Sequence, residues 1–558
     1  MDYKELVDVY NELDKTTKRL EKTEILSEFL KKIPKNDLQS IIYLVEGRIF
    51  PEWDERKIGF SSRSMIKAIS VASGESESKV ESLFNKKGDL GLVTEEVMTN
   101  KKQRTLRSKK LVVKDVIENT RKLAELEGKG TVNRKIGLVT ELLGNSNAEE
   151  AKYIVKTVLE NLRVGVSAGI VRDAIAKAFK VEVSKVEKAG DYIADYGEVA
   201  VLAKEKRLKG ILLKPGRPFK LMLALPAENI EKAFKDLGET IQFEEKLDGF
   251  RMTVHYNGKE YNLFTRRLEN VTKQFPDIIE IVKKHIKGKS YIIDCEAVGY
   301  DKETKKYLPF QNISQRIKRK HNIEETARKF PVELNVFDVI FYNGKNLMNN
   351  PLKERRELLE KIIKKEKRKI VLTKKLVTGN EKEVEKFFNQ ALEKGMEGLM
   401  VKNYEGSYKP GRYVKGWMKL KNVLEPLDCV IVGAEWGNGK RAGLLTSYRI
   451  AIKHGDEFEE IGKVSTGIKE KEANLTYWKL TQMLKPLIVK GSGKGKEVKV
   501  KPKIIIEVAY EEVQRSPTYS SGWALRFPRV LRLREDKSLR ELSDLDLVKR
   551  IHNSQKKK

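Results

Sequence analysis

The octapeptide EEKLDGFR, residues 244–251, sets one lysine among three acids, followed by a glycine and an arginine. Its chemistry centres on Lys246. An amine attacks phosphorus only when neutral, whereas a free lysine titrates near ~10.4. Keeping it substantially neutral at neutral pH takes a depression of about three units, roughly 4 kcal/mol at ~1.36 kcal/mol per unit. Burial and neighbouring cations act in that direction, and neighbouring acids act against it. Glu244, Glu245 and Asp248 therefore need another task, or an offsetting charge such as a bound metal. In an extended segment Glu244, Lys246 and Asp248 share one face, with Glu245 and Leu247 on the other. Gly249 lets the chain turn with no side chain obstructing a ligand. Taken alone, K-x-D-G is a weak signal, and a surface turn carrying a local ion pair is its first reading.

A framework must hold such a lysine, and periodicity outlines one. The first two hundred residues read as helices: Leu6, Val9, Tyr10 and Leu13 recur at helical spacing, as do Ile154, Val155, Val158, Leu159 and Leu162. In LRVGVSAGIVRDAIAKAF (162–179), Ser167 and Gly169 open an amphipathic helix whose start is either a simple cap or a place where free N–H groups meet a phosphate. EKRLKGILLKPGRPFK (205–220), with Pro215, Gly216 and Pro218, has the composition of an interdomain linker. From about residue 240 the pattern becomes strand-like in KSYIIDCEAVGY and VELNVFDVIFYNG, with helices expected over 353–366 and 381–394. Beyond WMKLK (417–421), the runs LDCVIVGAEW, SYRIAI, EIGKVSTG and KIIIEVAY, with one helical stretch near 470–483, predict a small β-barrel. The tail SQKKK is expected to be disordered.

Composition bounds the function. At 558 residues the chain exceeds one hydrophobic core, and three or four domains are expected. The first residues, MDYKELVDVYNELDK, lack a secretory pattern, and no apolar run reaches membrane-spanning length. Two cysteines, Cys295 and Cys429, cannot build a structural zinc site, and five scattered histidines suggest no metal cluster. A reducing, cytoplasmic setting is expected. The formal charge of +31 comes from 112 basic against 81 acidic residues. A lysine-rich, heat-adapted surface explains the abundance of charge but not its imbalance, which points to a polyanion, nucleic acid before anionic membrane.

Residues 244–251 resemble the first motif of the covalent nucleotidyltransferases, the superfamily of ATP-dependent DNA ligases, RNA ligases and mRNA-capping enzymes. Later segments resemble the remaining motifs in the same order: FTRRLENVT (264–272) with Arg266, IIDCEAVGYD (292–301) with Glu296, and FDVIFYNG (337–344) with Phe337. EGLMVKN (397–403) follows with Glu397 and Lys402, WMKLK with Lys419 and Lys421, and RLREDK (532–537) with Arg534 and Lys537. The flanks PTYSSGWALRFPRVLRLREDKSLRE and GNGKRAGLLTSYRIAI resemble the C-terminal barrel of cellular ATP-dependent DNA ligases of archaeal and eukaryotic type. The likeness extends over nearly the whole chain.

That resemblance implies a multidomain protein: an all-α DNA-binding domain over 1–215, an α+β adenylation domain over 216–421, and an oligonucleotide-binding (OB-fold) β-barrel over 422–558. It implies an ATP-dependent DNA ligase of replication, repair and recombination. Lys246 attacks the α-phosphate of ATP to form lysyl-AMP, the 5′-phosphate at a nick takes up the AMP, and the 3′-hydroxyl displaces it. Glu244 contacts the adenine amino group, Phe337 stacks on the ring, and Arg251 and Arg266 hold ribose or phosphate oxygens. Lys402, Lys419 and Lys421 surround the phosphate and help to depress the Lys246 pKa. Arg412 is the best match to a basic residue ahead of Trp417, with Lys415 as the alternative. Glu296 and Glu397 are the expected magnesium environment, Glu296 alternatively a ribose contact. Arg534 and Lys537 reach ATP only if the barrel closes over it. Expected partners are nicked duplex DNA, bound without sequence preference and weakly at high salt, and a sliding clamp; no membrane partner is expected, and the chain is expected to be monomeric. The alternatives are an RNA ligase or capping-type nucleotidyltransferase using the same lysine, and a non-catalytic basic DNA-binding scaffold.

Overall fold

Apolar residues at helical spacing become helices in the first two hundred residues. Leu6, Val7, Tyr10 and Leu13 bury one face of the helix Tyr3–Lys15. The helix Ala148–Val158 starts at Asn147, whose side chain accepts from the Glu150 N–H while the Glu150 carboxylate caps Asn147 in return. Ala168–Ala178 buries Ile170, Val171, Ala174 and Ile175, and its first residue follows Ser167, whose side chain makes no capping bond. Twelve such helices lie between Tyr3 and Lys204 among the described residues. The computed structural model describes residues 1–100, 110–317, 319, 321–412, 416–421, 424–468, 475–489, 491 and 496–556.

After Lys204 the chain is irregular, as its proline and glycine content predicts, yet it is firmly docked. Leu213, Phe219 and Leu221 are buried. Arg217 makes a two-pronged pair with Glu198, at 3.1 and 2.6 Å, and the Lys220 N–H donates to the Asp191 carbonyl. Gly216, with φ at +90°, donates its N–H to Nδ1 of His255 at 3.2 Å. The apolar residues flanking the prolines make the difference: a solvated tether carries none to bury.

The strands that carry the site are, in chain order, β1 (Ile241–Glu245), β2 (Phe250–Tyr256), β3 (Tyr261–Thr265), β4 (Tyr291–Gly299), β5 (Val332–Tyr342), β6 (Lys375–Thr378), β7 (Gly398–Asn403) and β8 (Trp417–Lys421). One sheet runs β6-β1-β7-β8 and ends on the short strand Leu225–Pro226. The other runs β3-β2-β4-β5 with antiparallel neighbours. Helices Leu352–Ile362 and Glu381–Glu393 form where helical spacing predicts them. The first places Arg355 on Asp338 of β5, Nε to Oδ1 at 2.7 Å and Nη2 to Oδ2 at 3.0 Å, with both side chains essentially unexposed. Three apolar clusters follow. Phe243, Leu399, Val401 and Phe387 underlie the first sheet, and Met252, Val254, Ile293, Cys295 and Val336 underlie the second. Between them Phe337, Trp417 and Tyr408 join Phe219 and Tyr192, so the docked segment and the helical region share a core with both sheets.

The chain divides into two compact units. Met1–Leu83, Leu90–Ala391 and Met396–Leu420 form one, and Phe84–Asp89, Leu392–Gly395 and Lys421–Lys558 the other. The second is strand-rich where a barrel is predicted. Its strands β9 (Leu427–Trp436), β10 (Leu445–His454), β11 (Glu457–Val464), β12 (Ile505–Ala509) and β13 (Arg529–Leu533) pair antiparallel in the order β11-β10-β9-β12-β13. Cys429, Ile431, Tyr448, Ile450, Ile461 and Val508 fill its core. The helix here spans Tyr477–Leu484; residues 470–474 of the predicted stretch lie outside the described residues. Among the described residues, no helix is long and apolar enough to cross a membrane.

Candidate active site

Strand β1 ends at Glu245, one residue before Lys246, so the lysine stands at the strand's exit rather than within it. Two main-chain bonds fix it there. The Lys246 N–H donates to the Gly398 carbonyl at 2.9 Å, and the Glu397 N–H donates to the Lys246 carbonyl at 3.0 Å. This register brings Glu397 across from the lysine: Nζ lies 2.6 Å from Glu397 Oε2, with the two side chains 18% and 23% exposed. The carboxylate is placed to hold the ammonium or to take a proton from it.

Behind the lysine lies a buried polar cluster. β1 and β7 are antiparallel, with Glu244 opposite Met400 and Gln242 opposite Lys402. Glu244 is buried and accepts from the Gln242 amide at 2.6 Å and from the Lys402 ammonium at 2.6 Å. Arg356 stands 3.8 Å away, held by the carbonyls of Val336 and Thr373. Lys402 Nζ also sits 4.3 Å from the Phe337 ring centre and 4.5 Å from that of Trp417, two rings meeting edge to face. Burial pulls the Lys402 pKa below the usual lysine range, with Glu244 opposing. Expected beside the phosphate and the Lys246 amine, Lys402 is instead engaged by Glu244 and the two aromatic rings, because cross-strand register sets its neighbour.

Arg251 is the centre of a second cluster. Its guanidinium grips Asp294 with two bonds, 2.9 and 2.5 Å, and donates to the Met222 carbonyl at 2.6 Å and the Tyr408 hydroxyl at 3.0 Å. Tyr408 donates to Asp294 at 3.1 Å and accepts the Met222 N–H at 3.1 Å. Glu296 faces Arg251 across the β2–β4 ladder. Burial pushes its carboxyl up to about 8, against the pull of Lys246 and Arg251. Gly249 is explained by the same ladder: a Cβ there would meet the Ala297 carbonyl oxygen at 2.5 Å. The glycine thus admits strand β4, whereas sequence reasoning assigns it to ligand access.

The remaining expected residues are dispersed. Arg266 is exposed in the turn after β3, and half-buried Lys419 shares one face of β8 with Trp417 and Lys421. Lys421 pairs with Glu511 at 2.7 Å rather than standing ready for a phosphate. In the second unit, Arg534 and Lys537 both bind Asp428, at 2.8 and 2.7 Å, and Arg534 also binds Asp536 at 2.7 Å. The side chain of Arg412 and all of Lys415 lie outside the described residues. Among the described residues, no group of three or more His, Cys, Asp and Glu side chains is placed to hold a metal ion. Sequence reasoning misses Gln242, Asp294, Arg356 and Tyr408. Gln242 and Asp294 had a signal, each lying two residues before an expected site acid, Glu244 or Glu296, and so on the same strand face.

A lysine at a strand exit, backed by an acidic and aromatic cluster where two sheets meet, agrees with the nucleotidyl transfer that the sequence motifs imply. Three family models match the chain: DNA ligase N terminus over residues 2–176, ATP dependent DNA ligase domain over 221–421, and ATP dependent DNA ligase C terminal region over 441–537. The DNA ligase of Nanoarchaeum equitans is 45% identical over 100% of this chain and 99% of its own length. Those of Thermococcus onnurineus and Methanopyrus kandleri are 41% and 40% identical, over 100% and 99% of this chain and 99% of each relative. Two solved chains, Pmar-Lig_Pre and Pmar-Lig_PreS3, share the fold with TM-scores of 0.59 and 0.57 at 18% and 17% identity, over 95% of this chain and 99% of theirs. The chain belongs to the ATP-dependent DNA ligase family.

Proposed function

We propose that this enzyme seals nicks in duplex DNA bearing a 5′-phosphate and a 3′-hydroxyl, through AMP bonded to Lys246 and then to the DNA end. The observation that carries the reading is the fixed pair of Lys246 and Glu397, built from residues far apart in sequence and locked by two main-chain bonds. In the first step the neutral amine attacks the α-phosphorus of ATP, the N–P bond forms and pyrophosphate departs. Glu397 takes part by holding the lysine in place and accepting the proton it gives up. Glu244 receives the adenine amino group, Phe337 flanks the base, and Arg251 meets ribose or phosphate oxygens from its seat on Asp294. In the second step the DNA 5′-phosphate takes AMP from the lysine; in the third the 3′-hydroxyl displaces AMP.

A divalent ion fits beside Glu296 and Glu397. Burial pushes the Glu296 carboxyl up to about 8, so a nearby cation would stabilise its ionised form, and two carboxylates with retained waters suit magnesium. Bound there, the ion neutralises charge on the phosphate oxygens. We further propose that residues 1–215, 216–421 and 422–558 act as DNA-binding, adenylation and OB-fold domains, with a basic surface that engages phosphates without reading bases.

The test is nick sealing with ATP and magnesium by the wild type and Lys246→Ala, together with label transfer from α-labelled ATP. Transfer to the wild type alone, mapped to the peptide holding Lys246, is expected. Sealing of unactivated nicks by the alanine variant overturns the reading.

A further inference from the structure

We propose that Gln242 is a positioning residue that sets the base selectivity of the nucleotide site, by holding Glu244 as a fixed acceptor for an exocyclic amino group. The inference rests on the reading of Glu244 as the adenine contact. Gln242 and Glu244 lie two residues apart on β1, on one face, and both are buried. The Gln242 amide nitrogen donates to Oε1 of Glu244 at 2.6 Å, and Lys402 donates to Oε2 at 2.6 Å. Each oxygen therefore has one fixed donor, and the carboxylate plane is pinned at both ends. An ionised carboxylate only accepts, so its unused lone pairs receive donors and repel acceptors.

The amide itself admits one orientation. Its nitrogen must face the carboxylate, which leaves Gln242 Oε1 buried with no hydrogen-bond partner. Unpaired buried acceptors are uncommon and call for a reason. A methyl-bearing or aliphatic side chain would leave no such orphan, but it would also leave Glu244 with Lys402 as its sole close donor and free to turn. An array of acceptors backed by Lys402 favours a 6-amino purine. It disfavours a 6-oxo purine, which brings an acceptor to an acceptor, and sites built on such hydrogen bonds discriminate strongly.

The test compares lysyl-AMP and lysyl-IMP formation by the full chain from ATP and inosine triphosphate, in the wild type, Gln242→Met, Gln242→Asn and Glu244→Gln. Met matches the length without the amide, and Asn keeps the amide but withdraws it. For both Gln242 variants KM for ATP is expected to rise about tenfold, more than kcat falls, with KM for inosine triphosphate little changed. The ATP preference then drops by about the same factor. An unchanged preference in variants that melt with the wild type overturns the proposal. So does an equal loss for both nucleotides with lowered melting, which marks a residue needed only for folding. If Glu244→Gln also leaves the preference unchanged, base reading by Glu244 fails first. A preference lost in Glu244→Gln but kept in the Gln242 variants overturns the positioning role alone.

Discussion

Replacing His255 with glutamine should flatten the acid limb of this protein's stability. The imidazole is fully buried against Phe264 and Phe219, with ring centres 4.9 and 5.9 Å away. Because the Gly216 N–H points at Nδ1, that atom accepts, and the ring proton sits on Nε2, 3.0 Å from the Thr253 hydroxyl. Burial pulls the imidazole pKa from 6.5 down to about 3. Below 6.5 the unfolded chain takes up a proton that the folded chain refuses until about 3, so stability falls as pH drops through that window and is untouched above it. Going down to about pH 5 crosses roughly 1.5 units of it, about 2 kcal/mol at ~1.36 kcal/mol per unit. Urea unfolding of wild type and His255→Gln at about pH 7.5 and about pH 5 measures the difference. The wild type should lose about 2 kcal/mol more than the variant. Protection of residues 211–221 from hydrogen exchange, taken relative to the intrinsic rate at each pH, should fall on acidification in the wild type, since a ring exposed by local opening takes up a proton and can no longer accept from Gly216. Parallel losses in the two proteins would refute the argument.

Glu397→Gln removes the charge beside Lys246 but keeps its size; lysyl-AMP formation should fall by about 10²-fold or more with melting unchanged, read by label transfer. Asp294→Asn strips the Arg251 guanidinium of its charged partner at a site where Asp294 is unexposed, so a loss of about 3–5 kcal/mol is expected in chemical denaturation. A loss under about 1 kcal/mol would mean that Tyr408 and the Met222 carbonyl hold the arginine by themselves. Nick affinity should fall steeply and linearly in log–log form with salt, measured by titration; a flat profile would contradict phosphate-dominated binding.

Local physics made much of this protein legible from its residues. Helical spacing located Tyr3–Lys15 and Ala168–Ala178, and continuous apolar runs located β4 and β5, because burial imposes a period on each element wherever it sits. Nucleotidyl transfer at Lys246 is implied by resemblance, through the order of the segments from 244 to 537, and not by local physics. Partners were another matter. Glu397 meets Lys246, and Lys402 meets Glu244, because β1 and β7 pair in one register, and a shift of one residue would send every one of these side chains to the opposite face. Asp294 and Glu296 carry the same kind of acid on the same strand face, yet one is gripped by Arg251 while burial pushes the carboxyl of the other up to about 8. Depth and neighbours decide that, and both belong to the packed sheets. The stretch 205–220 has a linker's composition, but Leu213 and Phe219 found a core between the helices and the sheets, and only the tertiary structure supplies that core.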